Sequence, residues 1–351
     1  MKVADFNFSL PENLIAKRPQ KERISSRLLV LHRDGLIEHK WFSALPSYLN
    51  KGDLLLINNT KVFPARLTGF KQNGGKLEIL LIRKKGNNLW EVLSKGSFTG
   101  TLKISDELYL ELHNGEVAHF KYSGDFMDII WKYGNMPLPP YIRRLPDDSD
   151  KERYQTIFAK KEGSIAAPTA GLHFTARLLK EITSKGIILR ELTLHVGPGT
   201  FRPIRTENVE EHYMGAECFE LDKELISEIK KIKDSGKRVI SVGTTTTRAL
   251  EGYMSGRCTN NSKPPSPPFL KGGKAGLQNS KVFSGTTNLF IYPGYKFLIV
   301  DSLITNFHLP GSTPLMLTAA MCGREKLMKA YNEAIAGRYR FLSYGDAMLI
   351  L

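Results

Sequence analysis

Four times in this chain an apolar run that reads as a buried strand ends in a short loop rich in Gly, Thr, His or Asn, and a helical pattern follows. The loops are residues 164–175 (SIAAPTAGLHFT), 195–203 (HVGPGTFRP), 243–248 (GTTTTR) and 301–313 (DSLITNFHLPGST). Alternating strand and helix predicts an α/β domain with a largely parallel or mixed sheet. In such open sheets ligands bind beyond the carboxyl ends of the strands, where loops and helix N-termini present backbone N–H groups. Four such loops imply one shared polar pocket. Gly admits close backbone approach and Thr supplies a hydroxyl, so the expected ligand is planar and polyhydroxylated rather than fatty.

Between about residues 65 and 122 the pattern changes. Short alternating segments (ARLTGFK, KLEILLIR, LWEVLS, TLKI, LYLELH, VAHFKYS) are separated by Asn-Gly-rich turns, which predicts a small antiparallel β-barrel. Residues 66–150 are therefore expected to form an inserted barrel domain, and 1–65 with 151–351 the α/β domain. Helices are expected at 125–133, 150–158, 176–185, 222–235, from Pro314 onward and at 324–336. Strands are expected at 26–33 with 36–42, 54–57, 187–196, 239–242, 289–292 and 297–304. Residues 257–281 (RCTNNSKPPSPPFLKGGKAGLQNSK) break the rhythm with Pro, Gly, Ser and Asn, and read as a flexible insertion or, less simply, a polyproline-type partner ligand.

Charge separates the possible partners. Lys and Arg number 50 against 35 Asp and Glu, a net of +15. The excess is uneven: residues 60–103 hold nine basic side chains and only Glu78 and Glu91 as acids. A polyanion is the first partner to test, against the alternative of an ordinarily basic soluble protein. No stretch approaches the roughly 18 apolar residues of a membrane helix and the N-terminal run lacks a signal-peptide core, so a cytoplasmic protein is expected. Cys218, Cys258 and Cys322 have no CxxC spacing, which suggests neither a disulfide framework nor a zinc site.

His173, His195 and His308 fall in the pocket loops. Three histidines on converging loops point to proton transfer, although each alone is as readily a hydrogen-bonded structural residue. No HxH or HExxH pattern accompanies them, so no metal is expected. Asp301 ends an apolar run, where an acid orients a neighbour, contacts a ligand or simply caps. GTTTTRALE sets a hydroxyl run at a helix N-terminus with Arg248 one turn in; it reads either as a carboxylate or phosphate cradle or as a Thr-rich cap on a buried helix. HVGPGTF lacks both G-x-G-x-x-G and GK[ST], which argues against dinucleotide and P-loop sites.

The phrases SRLLVLHR, LLLINNTKVFPARL, AAPTAGLHFT, HVGPGTFRPI, EHYMGAE, VGTTTTRALE, LFIYPGYKF, VDSLITNFHLPGST and RFLSYGDAMLI, spread over both ends of the chain, resemble those of the S-adenosylmethionine:tRNA ribosyltransferase-isomerase family of queuosine biosynthesis. The resemblance implies a cytoplasmic RNA-binding transferase. It would move and isomerise the ribosyl group of S-adenosylmethionine onto 7-aminomethyl-7-deazaguanine at the tRNA wobble position, giving epoxyqueuosine, adenine and methionine. S-adenosylmethionine would be consumed as donor, with no recycled cofactor, and the partner would be a tRNA anticodon stem-loop bound by a monomer. Three departures stand out. Gly215 replaces the family's second His after EHxM, Thr246 replaces a Ser, and the Pro-rich stretch at 260–280 is an insertion.

On this resemblance His173 or His195 is expected to act as base at the ribose C5′, with His308 and Asp301 serving the departing adenine. Thr169, Gly171, Gly197, Gly199 and Thr200 are expected to hold ribose and adenine. Thr244, Thr245 and Arg248 would take the methionine carboxylate or a phosphate. Asn58, Asn59, Thr60, Lys61 and Arg66, with Tyr344 and Asp346, would contact the anticodon loop. A non-catalytic RNA-binding module leaves the four polar loops without a purpose. A tRNA methyltransferase would carry an acidic E/D-x-G-x-G loop, absent here, and release S-adenosylhomocysteine.

Overall fold

The computed structural model describes residues 1–201, 203–260 and 281–351. In chain order the strands are β1 (Arg27–Leu31), β2 (Ile37–Trp41), β3 (Leu54–Asn58), β4 (Thr60–Val62), β5 (Arg66–Phe70), β6 (Lys76–Lys84), β7 (Leu89–Ser94), β8 (Gly100–Lys103), β9 (Leu108–His113) and β10 (Val117–Tyr122). They continue as β11 (Lys161–Ser164), β12 (Ile188–Leu194), β13 (Glu217–Asp222), β14 (Val239–Val242), β15 (Thr259–Asn260), β16 (Val282–Thr287), β17 (Ser302–Asn306) and β18 (Ala347–Ile350). The helices are α1 (Phe126–Tyr133), α2 (Asp148–Arg153), α3 (Ala176–Ser184), α4 (Lys223–Asp234), α5 (Thr244–Met254), α6 (Thr313–Cys322) and α7 (Arg324–Ala336).

Among these residues ten strands form one mixed sheet, in the order β15-β16-β13-β12-β3-β14-β17-β18-β1-β2, and β5 to β10 close into an antiparallel barrel. The α/β sheet with an antiparallel barrel is the architecture expected from the alternation and its interruption. At the centre β12, β3, β14 and β17 run parallel, Ile188 facing Leu54, Val239 facing Leu54 and Ile240 facing Ser302. Every residue of β3, LLLIN, is buried, as a strand covered on both faces requires. The period of two divides them: Leu55 and Ile57 pack with Leu178 and Ile182 of α3, while Leu54 and Leu56 pack with Leu225, Ile229 and Ile232 of α4 and Leu250 of α5. The barrel keeps a separate core that includes Leu67, Ile79, Trp90, Leu110 and Phe120.

Three expectations need correction. Residues 289–292 form no strand, and of 297–304 only the segment from Ser302 onward does. For residues 298–300 the cause is Glu251 of α5, whose carboxylate accepts the backbone N–H groups of Leu298, Ile299 and Val300 at 2.9, 3.0 and 3.0 Å, so these donors need no neighbouring strand. The expected helix at 150–158 is the shorter α2, begun earlier by Asp147, whose side chain accepts from the Ser149 N–H at 3.1 Å. Of the insertion expected at 257–281, Thr259 and Asn260 are instead strand β15, paired with β16, and residues 261–280 lie outside the described residues.

Candidate active site

The parallel strands β12, β3, β14 and β17 end together, and a cleft open to solvent at its mouth lies beyond them. All four pocket loops reach it. Ala167 to Ala170 come from the first, Val196 from the second, Gly243 to Thr245 from the third, and Thr305 to Leu309 with Ser312 from the fourth. Pro314, Leu342, Ser343 and Tyr141 complete the wall. No Asp, Glu, Lys or Arg stands among these lining residues, and His308 is the one titratable imidazole there.

Gly243 makes the third loop possible. At φ 92° it adopts a conformation that L side chains avoid, so β14 turns straight into α5 while the Gly243 N–H still bonds the Ile304 carbonyl at 2.8 Å. The Thr run then divides its work. Thr246 Oγ1 donates to the Val242 carbonyl at 2.6 Å and Thr247 Oγ1 to Ser241 Oγ at 2.8 Å, which ties the helix to its strand. Thr244 and Thr245 line the cleft, and Thr245 Oγ1 is buried without a protein partner. One pair of threonines thus fastens the helix and the other faces the cleft.

Arg248 does not line the cleft. Its guanidinium pairs with Glu217 in a buried ion pair and donates from Nε to the Leu289 carbonyl at 2.9 Å. Glu217 Oε1 also accepts the Gly197 N–H at 3.0 Å. The carboxylate that Arg248 holds is therefore internal, and through it α5 braces the second loop. Gly197 spends its N–H on that brace, and neither Gly197 nor Gly199 lines the cleft. A Cβ on Gly171 would meet Phe158 Cζ at 2.7 Å, so this glycine permits close packing rather than ligand contact. The Thr200 side chain lies outside the described residues.

The histidines separate sharply. His173 is 4% exposed, with Nδ1 2.7 Å from Ser26 Oγ, Nε2 3.2 Å from Asn306 Nδ2 and its ring 5.0 Å from that of Phe42. Desolvation, reinforced by Arg23 and Arg340, pushes its pKa down to about 3. His195 is 9% exposed, Nδ1 2.8 Å from Thr60 Oγ1, its ring against the Gly163 backbone. Desolvation brings it down to about 4. Neither lines the cleft, so neither is placed to reach a ligand there. His308 does line it, half-buried on the wall. Its Nε2 is 2.7 Å from Thr305 Oγ1 and desolvation pushes its pKa down to about 3. All three are neutral imidazoles at pH 7.

Asp301 is at the opposite end of β17, bonded to Lys233 Nζ at 2.6 Å and to the Val239 N–H at 2.8 Å. It joins strand to helix and is remote from the carboxyl-end cleft. The expected RNA contacts are largely internal as well. Asn58 Nδ2 donates to the Leu194 carbonyl, Asn59 Nδ2 to Glu191 and Thr60 pairs with His195, all three residues being buried. Lys61 bonds Glu162 at 2.6 Å, and Arg66 pairs with Glu78. Tyr344, 3% exposed, donates to Asp150 Oδ1 at 2.9 Å, and Asp346, 1% exposed, accepts the N–H groups of Arg27 and Arg340 at 2.8 Å each. Buried and satisfied side chains are not free to stack on or pair with a base.

Asn306, Thr305, Tyr141 and Ser343 line the cleft without having been singled out. Asn306 carried a signal: a polar residue closing the apolar strand SLITN at its carboxyl end. Tyr141 carried none, since it arrives from the connection that follows the barrel and α1. Gly215 is exposed with no atom within 4 Å of where a Cβ would stand, so a side chain there would face solvent. Among the described residues no group of His, Cys, Asp and Glu is arranged to hold a metal, and no helix is long and apolar enough to cross a membrane.

A family model described as a queuosine biosynthesis protein matches residues 3–350. Proteins named S-adenosylmethionine:tRNA ribosyltransferase-isomerase are similar over 100% of both chains: one from Thermodesulfovibrio yellowstonii at 54% identity, one from Halothermothrix orenii at 47% and one from Clostridioides difficile at 46%. The crystal structure of S-adenosylmethionine tRNA ribosyltransferase from Thermotoga maritima is 33% identical, with a TM-score of 0.55 over 99% of this chain and 100% of that one. Likeness of this extent, over a fold with a strand-end cleft, means that the chain belongs to the queuosine biosynthesis family and is an enzyme of its transferase class.

Proposed function

We propose that the protein transfers and isomerises the ribosyl moiety of S-adenosylmethionine onto 7-aminomethyl-7-deazaguanine at the wobble position of a tRNA, giving epoxyqueuosine and releasing adenine and methionine. The observation that carries this reading is the uncharged cleft at the carboxyl ends of the parallel strands, in a chain alike end to end to enzymes named for this donor and acceptor. S-adenosylmethionine enters as a substrate and is consumed.

The sulfonium acidifies the C5′ protons of the donor ribose. His308 takes one of them: with Thr305 on Nε2, Nδ1 is the ring nitrogen left to meet the sugar, and burial keeps the imidazole unprotonated, its lone pair free to accept the proton. The C5′ carbanion expels adenine as the ring opens. Negative charge gathering on the leaving purine is favoured at the N-terminus of α5, where the helix dipole and the first N–H groups lie. The neutral aminomethyl group of the tRNA base then attacks the sugar, and epoxide closure ejects methionine. Thr169 and Thr244 offer hydroxyls to the donor. Arg248, Gly197 and Glu217 hold the wall in shape from behind.

The anticodon loop would approach over the basic barrel. Lys61, Arg66, Arg83, Lys85 and Lys103 have acidic partners, whereas Lys84 and Lys95 have none among the described residues and remain for phosphates. Incubation with S-adenosylmethionine and tRNA bearing the aminomethyl base tests the reading: adenine and methionine should appear together, with the tRNA base heavier by the ribosyl unit. Release of S-adenosylhomocysteine, or of no product, would contradict it. His308→Asn should lower kcat by about 10²- to 10⁴-fold, the usual loss on removing a general base.

A further inference from the structure

Two polar atoms at the cleft hold unspent hydrogen-bonding capacity. Asn306 is 2% exposed and Thr245 6% exposed; both line the cleft, and both Asn306 Oδ1 and Thr245 Oγ1 are buried without a protein partner. They stand at the ends of adjacent parallel strands, since Val242 of β14 faces Ile304 of β17. An unpaired buried acceptor costs roughly 1–3 kcal/mol, so a protein keeps one where a ligand completes the bond.

The orientation of the Asn306 amide is fixed from behind. Its Nδ2 lies 3.2 Å from His173 Nε2, 3.2 Å from the Leu342 carbonyl and 3.4 Å from the Asp346 carbonyl. Two carbonyls require the donor on that side, so His173 Nε2 accepts, its Nδ1–H donates to Ser26 Oγ, and the Ser26 hydroxyl donates onward to the Arg23 carbonyl at 3.3 Å. Every donor is spent on this relay, which leaves Oδ1 as a pure acceptor. Thr245, by contrast, lies in the first turn of α5 and carries a hydroxyl free to donate.

We propose that Asn306 and Thr245 form the purine subsite for the adenine of the donor, Asn306 Oδ1 accepting from the 6-amino group and Thr245 Oγ1 donating to a ring nitrogen, with His173 a positioning residue that holds the Asn306 amide. This rests on the reading of the cleft as the S-adenosylmethionine site. Three features favour adenine over the other parts of the substrates. Ala167, Pro168, Ala170, Val196, Leu309 and Leu342 supply apolar walls for a flat heterocycle. The sulfonium is repelled by the positive end of α5 and purine ring nitrogens are attracted by it, while a carboxylate, attracted as well, would set its oxygens against the acceptor Asn306 Oδ1. A vicinal diol would seek more acceptors than one.

The test compares S-adenosylmethionine with its 6-oxo counterpart, S-inosylmethionine, as donors to substrate tRNA, both read by methionine release. In the unaltered protein the 6-oxo group turns a carbonyl oxygen onto Asn306 Oδ1, and kcat/KM should fall about 10- to 100-fold, mostly through KM. Asn306→Ala should reduce that preference to within about threefold. Thr245→Val, nearly isosteric at a hydroxyl with no protein partner, should raise the donor KM about 5- to 50-fold and leave the melting temperature unchanged, which covers the case in which Asn306→Ala fails to fold. His173→Gln, which retains a side-chain amide, should keep more of the preference than His173→Ala. Equal use of both donors by the unaltered protein overturns the subsite. So does a Thr245→Val effect confined to the KM for tRNA, which would place the tRNA base there instead. Turnover of S-adenosylmethionine with either of those results leaves the proposed reaction standing, whereas no turnover with either donor removes both.

Discussion

Acidification should unfold this protein through its buried histidines before its carboxylates titrate. His173, His195 and His308 have folded pKa values near 3, 4 and 3, against about 6.5 in the unfolded chain. Each folded value is depressed, so the stability these groups support is complete above pH 6.5 and drains as pH falls from there towards 3, because only the unfolded chain takes up protons in that window. From pH 7.5 to 5.5 each group fully shielded from water costs about 1.4 kcal/mol. His173 and His195 together remove about 3 kcal/mol, and His308, which faces the cleft, adds up to about 1 more. That is a large share of the roughly 5–15 kcal/mol that holds a typical domain together. Urea unfolding followed by circular dichroism at half-unit steps should yield a slope equivalent to between two and three protons taken up near pH 5.5. A stability constant to within about 0.5 kcal/mol over this range would refute the claim that the three rings fold as buried neutral imidazoles.

Three further outcomes follow from the side-chain partners. Tyr344→Phe removes the bond to Asp150 and should cost about 1–3 kcal/mol in unfolding free energy while leaving tRNA affinity within twofold; loss of affinity at full stability would return Tyr344 to the RNA interface. Glu217→Gln strands Arg248 as an uncompensated buried charge and should destabilise by about 3–5 kcal/mol, most of it recovered when Arg248→Met is added. Replacing Lys84 and Lys95 together by Ala should lessen the slope of log K against log salt for tRNA by about 1.4, and an unchanged slope would mean that neither lysine meets a phosphate.

The architecture was legible because local pattern and global fold agree. β3 is apolar throughout and reads as a doubly covered strand, Asp222 caps α4 where an N-cap is expected, and Asn-Gly turns punctuate the barrel. What escaped depended on partners distant in sequence. The stretch 297–300 looks like a strand, yet Glu251 takes its N–H groups, and nothing within the stretch announces that. The candidate site divides on the same principle. Three of the four loops follow the parallel strands β12, β14 and β17, which end together, and the first, after β11, joins them, so the positions of Thr169, Thr244, Thr245 and His308 beside the cleft were legible in the sequence. Burial behind the first layer of side chains is invisible in a motif: His173, His195, Arg248, Tyr344 and Asp346 have catalytic or binding chemistry but spend it on Asn306, Thr60, Glu217, Asp150 and backbone donors. Asn306, overlooked beside His308, is where that hidden layer meets the cleft.

The central claim is that the carboxyl-end cleft receives the ribosyl donor, and a crystal soaked with S-adenosylmethionine tests it most directly. Difference density should place the purine between Thr245 and Asn306 and the ribose C5′ within about 3.5 Å of an imidazole nitrogen of His308, the separation of groups poised to react. Well-ordered donor elsewhere, such as in the charged groove lined by Lys161, Arg190 and Glu220, would contradict the account.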